Sequence, residues 1–286
     1  MAEKSAMKSA RPSGSVVYDN SSRVVLVTGG SNGIGKAICD AFAASGAQVV
    51  SADIAQPRTA NPSSRISFRH VDTASEPDCQ EVVNWTVAEF GGLDVLVNNA
   101  AIQPKNSYVP VDQLDSSQLE EMTRINFFGY SFMAKYALRQ MKAQQSGVVV
   151  NLASGQAHRT ARQVPVYGPI KAANVLQAMQ WGVEYARKGI RVVSVSPGAI
   201  DTPLVRASLA SQGGAAELAN RHPLGRIGLP EEVARAVLWL SSSDASFVTA
   251  TDLAVDGGLG AFGAFADPYE LPENERLPKN ERLPEN

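Results

Sequence analysis

At 286 residues the chain is long enough for one large domain or two small ones, and its 44% hydrophobic and 19% charged content is that of an ordinary folded protein. A formal net charge of -2 gives no electrostatic reason to expect nucleic acid or an anionic membrane as partner, and no apolar run reaches the length that spans a bilayer. The first twenty residues lack the apolar centre of a secretory signal, and Cys39 and Cys79 have no metal-ligand spacing, so the expectation is a cytoplasmic protein with reduced thiols and no metal site.

Residues 1–20 are polar, small and aperiodic and read as a flexible arm ahead of an ordered catalytic region at 21–262. Order begins with the β-branched run Arg23 to Thr28, suited to a buried strand. It passes into Thr28-Gly29-Gly30-Ser31-Asn32-Gly33-Ile34-Gly35, followed by a helix-period segment from Lys36 to Ala44. Strand, glycine turn and helix are the context of a phosphate-binding loop. Gly29 permits the tight turn, Gly33 lets the backbone approach a pyrophosphate, and Gly35 lets helix and strand pack closely. The helix N-terminus then faces the anion with unpaired N–H groups. Ser31, Asn32 and Ile34 join the glycines as candidate dinucleotide contacts. Without the flanking strand and helix the same glycines would be only a loop.

A second strand, Gln48 to Asp53, ends in a carboxylate about twenty residues past the turn, where an acid hydrogen-bonds ribose hydroxyls and repels a 2′-phosphate. No basic residue stands at Ser31, Asn32, Ile54 or Ala55, and Arg58 lies beyond Pro57, so NAD is expected over NADP. The alternative for Asp53 is a solvated strand end. Arg65 to Asp72 reads as a third strand, with Asp72 placed to touch an adenine edge or to cap the helix Ser75 to Phe90. Asp94 to Val97 is a fourth strand. After it, Asn98-Asn99-Ala100-Ala101 offers amides for backbone and ribose, or a plain Asx turn; Asn98 and Ala100 are taken as cofactor candidates.

Residues 115–143 carry one long helical pattern, apolar at Leu119, Met122, Ile125, Phe128, Phe132 and Ala134, with Asn126 inside it. Asparagine is a mediocre helix former, so Asn126 is either solvated or a chosen hydrogen-bonding position. Val148 to Leu152 is a fifth strand that delivers Ser154 to the carboxyl edge, where ligands gather in such sheets. Tyr167 and Lys171 are four apart, on one face of a helix. A free tyrosine titrates near about 10, and a neighbouring cation favours its phenolate. Lowering that value by about three units takes roughly 4 kcal/mol, within reach of an ammonium together with a cationic cofactor ring. The Ser154 hydroxyl can donate to or accept from a substrate oxygen. The three suit proton transfer to an alcohol/ketone pair. A Tyr–Lys pair alone is common on amphipathic helices; the glycine turn upstream selects the functional reading. Gly168-Pro169 requires the helix to begin near Val166 or to kink.

Ile190 to Val195 is a sixth strand, and Pro197-Gly198 breaks the chain beside the cofactor position. Residues 199–225, rich in Ala, Ser, Gly and Leu, read as a mobile flap over substrate. Pro230-Glu231-Glu232 opens a helix, and Asp252 to Val255 is a last strand closed by Asp256-Gly257-Gly258. In the tail at 263–286, Leu271-Pro272-Glu273-Asn274-Glu275-Arg276 recurs from Leu277 and from Leu283, a proline-regular repeat that cannot build a core.

Alternating strands and helices predict an α/β fold: a single Rossmann-like, doubly wound parallel sheet with helices on both faces. TGGSNGIG, NNAA, the lone Asn126, Ser154, YGPIK and the turn at Pro197-Gly198 stand in the order and spacing of the short-chain dehydrogenase/reductase family, which the chain resembles, in its classical branch, over roughly residues 20–260. The resemblance implies a catalytic tetrad. Tyr167 would be the general acid/base. Lys171 would lower its pKa and hold the nicotinamide ribose, so both count as cofactor contacts. Ser154 would orient the substrate oxygen, and Asn126 would hold a relay water through its backbone. Pro197, Gly198, Ile200 and Thr202 complete the cofactor candidates, with Thr202 expected on the nicotinamide amide or phosphate. The family also implies a homo-oligomer, most often a tetramer. Ala101 stands where the family commonly has glycine.

The segment between Ser154 and Tyr167 is polar and basic, and Gln103 lies on the loop after the fourth strand. Gln103, Gln156, His158 and Arg162 are the substrate candidates, matching a polar small molecule such as a sugar, polyol or acidic hydroxy compound. The alternative is that these side chains face solvent or another subunit. The expected activity is NAD(H)-dependent interconversion of a secondary alcohol and a ketone. A 3-oxoacyl-type reductase and a non-enzymatic dinucleotide-binding sensor are the alternatives. Asp53 speaks against the first, and the presence of Tyr167 and Lys171 against the second.

Overall fold

A computed structural model describes residues 14–57, 63–208 and 214–262. Most of the N-terminal arm, Arg58, part of the expected flap and the repeat tail lie outside the described residues. Among those described, seven strands form one parallel sheet in the order β3-β2-β1-β4-β5-β6-β7. They are β1 Val24–Thr28, β2 Gln48–Asp53, β3 Ile66–His70, β4 Val95–Asn98, β5 Gly147–Leu152, β6 Ile190–Pro197 and β7 Asp252–Val255. The helices are α1 Gly33–Ala44, α2 Glu76–Phe90, α3 Ser116–Thr123, α4 Gly129–Gln144, α5 Tyr167–Tyr185, the short α6 Pro203–Ser208 and α7 Ala215–Asn220, and α8 Pro230–Ser241.

The two faces follow from strand alternation. Val25 and Val27 of β1 face the side covered by α1 and α8, where Ile38, Phe42, Val233 and Val237 are buried. Leu26, between them, faces the side covered by α2, α4 and α5, with Val82, Met133 and Ala178. Both sides are closed, so the strands read as continuous apolar runs. Each fully buried large aliphatic or aromatic side chain contributes about 1.5–3 kcal/mol. Cys39 and Cys79 are free thiols within these cores, and burial pushes each up to about 12, which keeps them protonated and inert.

Local chemistry sets several boundaries. Ser75 accepts from the Asp78 N–H and caps α2, with Pro77 in its first turn and Gly91 at φ 83° ending it. Asp72 therefore does not serve as that cap. Glu232 reaches back to the Leu229 N–H at 2.8 Å at the start of α8. Several strand ends differ from expectation by one or two residues: β3 is shorter, stopping at His70, and β6 runs on to Pro197.

The larger correction is at 115–143. The expected single helix is two, α3 and α4, joined by a π turn at Arg124–Phe128 in which the Gly129 N–H bonds Arg124 O, five residues back. The apolar periodicity carries through such a turn, so the pattern alone does not reveal it. The parallel order reverses direction between β1 and β4, and the carboxyl edge there opens the crevice that holds the site.

Candidate active site

The cleft at that crevice has a volume of about 380 Å³. One wall is the glycine turn. Gly29 (φ +65°) and Gly33 (φ +53°) both adopt the left-handed conformation that other residues avoid. A Cβ on Gly33 would come 3.3 Å from Thr202 Cγ2 and narrow the cradle between the turn and the β6 loop. Asn32, preceding α1, does not cap it with its side chain, so the leading N–H groups keep their dipole for an anion. At the next strand end Asp53 Oδ2 accepts from Ser31 N at 3.0 Å and Oδ1 from Ala55 N at 3.1 Å. Each oxygen retains lone-pair capacity for a ribose hydroxyl. Asp72, Ala100, Pro197 and Thr202 also line the cleft. A cradle of bare backbone, an open helix N-terminus and a carboxylate beyond it fit a nicotinamide dinucleotide.

Four candidates serve the cleft from behind it. Gly35 gives α1 its close approach to the Gly29 carbonyl. Ser31 is tied to Asp53 and Ala55 rather than lining the wall. Gly198 donates to Val255 O at 3.1 Å, and a Cβ there would stand 2.9 Å from His222 Nε2. Ile200 is 3% exposed, its side chain packed in the core. Asn98 is a plain correction. It is fully buried, donating to Asn151 Oδ1 at 3.0 Å and Tyr130 O at 3.4 Å, so it does not reach a ribose. Its neighbour Asn99 is the one on the cleft, holding Thr28 O and Gly29 O at 2.9 and 3.1 Å.

The four reaction-side candidates converge. Ser154 follows β5, and its hydroxyl stands beside the Tyr167 phenol. Tyr167 and Lys171 both line the cleft from the first turns of α5. Val166 precedes the helix and Pro169 falls in its first turn, where a missing N–H costs nothing, so α5 needs no kink. Asn126, in the π turn, clamps Ile102 through both side-chain atoms, at 2.8 and 2.9 Å, while its carbonyl accepts from Asn174 Nδ2 at 3.0 Å.

The electrostatics differ from the simple Tyr–Lys expectation. Burial pushes the Tyr167 phenol up, the nearby Tyr108 phenol adds to this, and the Ser154 hydroxyl pulls it back. Burial also brings Lys171 down to about 7. Its Nζ bonds Leu152 O at 2.7 Å and Tyr130 Oη at 3.0 Å, and lies 5.6 Å from the centre of the Tyr167 ring. The amine is thus anchored beside the phenol rather than paired with it.

The basic segment is also corrected. His158 Nε2 is 2.8 Å from Asp252 Oδ2 and does not line the cleft, and Arg162 is exposed outside it. Gln156 packs beside Ser154, its N–H donating to the serine Oγ at 3.2 Å. Gln103 is half-buried on its loop, off the cleft wall. The residues missed were Tyr108, Tyr130, Asn151 and Asn174. An asparagine within the apolar strand VVVNL and another within α5 were the available signals, since both are poor choices there without a buried partner.

His222 is another. It is 1% exposed, accepts from Ala199 N at 3.1 Å and holds Leu218 O at 2.9 Å, tying α7 to the turn after β6. With Nε2 accepting, Nδ1 carries the proton. His222→Phe should lower stability by about 1–3 kcal/mol, because Ala199 N–H and Leu218 O lose their partner. A denaturant midpoint equal to that of the wild type would contradict this.

The sequence model of a family described as enoyl-(acyl carrier protein) reductase matches residues 29–260. The cis-4-hydroxycyclohexanecarboxylate dehydrogenase of Sinomonas cyclohexanicum is 38% identical over 84% of this chain and 97% of its own. The 2,5-dichloro-2,5-cyclohexadiene-1,4-diol dehydrogenase of Sphingobium indicum is 35% identical over 85% and 99%. The aldohexose dehydrogenase structure of Thermoplasma acidophilum superposes with a TM-score of 0.81 at 32% identity, over 88% of this chain and 98% of that one. The chain belongs to the short-chain dehydrogenase/reductase family and is an oxidoreductase with a Rossmann-type fold. The family binds a nicotinamide dinucleotide, and solved neighbours hold NADP in one case and NADH in another. Among the described residues no helix is long and apolar enough to cross a membrane.

Proposed function

We propose that the protein is an NAD(H)-dependent dehydrogenase that interconverts a ring-borne secondary alcohol and its ketone. The observation that carries this reading is Tyr167 with the buried Lys171 amine 5.6 Å from its ring, and Ser154 beside its phenol, at a cleft whose opposite wall is the glycine turn. The dinucleotide, when bound, exchanges a hydride with the substrate carbon. Tyr167 Oη takes the hydroxyl proton in oxidation and returns it in reduction. Ser154 Oγ holds the same substrate oxygen, which fixes its distance to the phenol.

The substrate class is proposed from two supports. The relatives named above act on hydroxylated six-membered rings or an aldohexose, by their names. The cleft also has apolar wall at Ala101, Ile102, Ile125 and Leu204, which suits a ring more than an extended polar chain. With His158 and Arg162 turned elsewhere, an anion clamp is not part of the reading. A screen of cyclohexanols, hydroxycyclohexanecarboxylates, cyclic diols and sugars with NAD, followed by NADH absorbance, tests it. Turnover confined to acyclic alcohols or acyl thioesters would sink it.

The cofactor proposal rests on Asp53, whose carboxylate stands on the cleft wall with both oxygens already bound to loop N–H groups. A 2′-phosphate there would meet a fixed negative charge. Asp53→Asn keeps the shape and removes that charge. It should raise the NADP-to-NAD ratio of kcat/KM by about tenfold or more, each tenfold being about 1.4 kcal/mol. A wild-type protein faster with NADP than with NAD would overturn the NAD assignment.

A further inference from the structure

Tyr130 and Lys171 are among the largest fully buried side chains, each 1% exposed. The Tyr130 hydroxyl donates to Leu152 O at 2.9 Å and accepts from Lys171 Nζ at 3.0 Å. Lys171 Nζ donates to the same Leu152 O at 2.7 Å, so hydroxyl, ammonium and carbonyl close a triangle. Each corner comes from a different element. Tyr130 is on α4, four residues after Asn126 in the π turn. Lys171 is on α5 with Tyr167, and Leu152 ends β5 two residues before Ser154. The triangle thus joins the three segments that present the reaction-side groups.

We propose that Tyr130 is a positioning residue for the reaction: its hydroxyl is the second acceptor that pins the Lys171 ammonium, leaving the third N–H aimed at the cleft. The proposal rests on the reading of Tyr167 and Lys171 given above. An ammonium has three N–H donors and no acceptor. A lysine side chain loses considerable rotamer freedom when held in place, and one carbonyl alone fixes a point but not a direction. Two acceptors on different elements fix both.

The hydroxyl also acts on the charge. An acceptor bonded to the ammonium favours the charged form, against burial that already brings Lys171 down to about 7. The titratable groups facing the amine are Tyr130 from α4 and Tyr167 from its own helix; β5 presents only the Leu152 carbonyl. Burial and the Tyr167 phenol push Tyr130 well above the ordinary tyrosine value, so it stays a neutral hydroxyl that both donates and accepts. Removing its oxygen therefore lowers the pH at which Lys171 loses its proton.

The test is Tyr130→Phe, which keeps the ring and its packing, measured in the full-length protein with the dinucleotide and the best alcohol from the screen. The expected result is a kcat about tenfold lower, with the KM for the alcohol nearly unchanged. The fall of activity at high pH should begin about one to two pH units earlier, the reach of a hydrogen bond to a charged group. Lys171→Met and the double variant complete the cycle. If Tyr130 acts through Lys171, adding Tyr130→Phe to Lys171→Met changes little further. A Tyr130→Phe profile that superimposes on the wild type overturns the proposal. So does a loss that is uniform in pH and fully additive with Lys171→Met, since that is packing damage. Tyr167→Phe separates the two readings. An inactive wild type, or a fully active Tyr167→Phe, defeats the site itself. An active wild type with a dead Tyr167→Phe and an unchanged Tyr130→Phe defeats only the positioning role.

Discussion

Tyr167→Phe should lower kcat by about 10²- to 10⁴-fold, the usual contribution of a positioned acid/base group, while dinucleotide binding persists. Phenylalanine keeps the ring in its place at the start of α5 and removes only the phenol oxygen. The direction of the pH effect follows from the same surroundings. Burial and the Tyr108 phenol hold Tyr167 above the ordinary tyrosine value, and the Ser154 hydroxyl only partly offsets them. At neutral pH the group is therefore protonated and ready to donate to a ketone. Alcohol oxidation needs the phenolate, so its rate should climb with pH up to about 7, where Lys171 begins to lose its proton, and reduction should not. Steady-state kcat from about pH 5 to 7 in both directions checks this. Oxidation that is flat over that range, or full turnover by Tyr167→Phe, would remove the phenol from the mechanism.

Gly35→Ala is the second large effect, and local propensity predicts the wrong sign for it. Alanine favours a helix over glycine by about 1 kcal/mol, and Gly35 lies in the first turn of α1. Its φ is not in the left-handed region. Yet a Cβ at this position would overlap the Gly29 carbonyl and stand 2.5 Å from Asn99 Nδ2. Neither neighbour can yield freely. Asn99 holds Thr28 O and Gly29 O, and the Gly29 N–H is bonded to Ala52 O at 2.8 Å. The turn must shift away from α1, at a net cost of about 1–3 kcal/mol. That shift moves the backbone proposed to carry the phosphates, so NADH affinity should fall by about tenfold or more. Urea unfolding and NADH fluorescence titration measure the two parts. A variant of wild-type stability and affinity would show that the close approach is not needed.

The sequence by itself determined the elements of this protein. β-branched runs became strands, Gly29 and Gly33 took the positive φ that only glycine adopts cheaply, and Ser75 and Pro230 marked helix starts. Each of these is decided within a few residues, so each is legible as spacing. Asn126, Ser154, Tyr167 and Lys171 were legible for a related reason: they sit at fixed offsets from those elements. The tertiary structure alone decided what lies between elements. The π turn around Asn126 is invisible to periodicity, because the apolar face continues through it. Asn98 and His158 looked free until Asn151 and Asp252, distant in the chain, were seen to take them. Tyr130 reaches Lys171 across 41 residues, and Asn174 reaches Asn126 across 48. A buried polar group must find its partner wherever the fold brings one, since leaving it unpaired costs about 1–3 kcal/mol. That requirement is set in three dimensions, so local spacing shows which polar residue is out of place but not what it will bind.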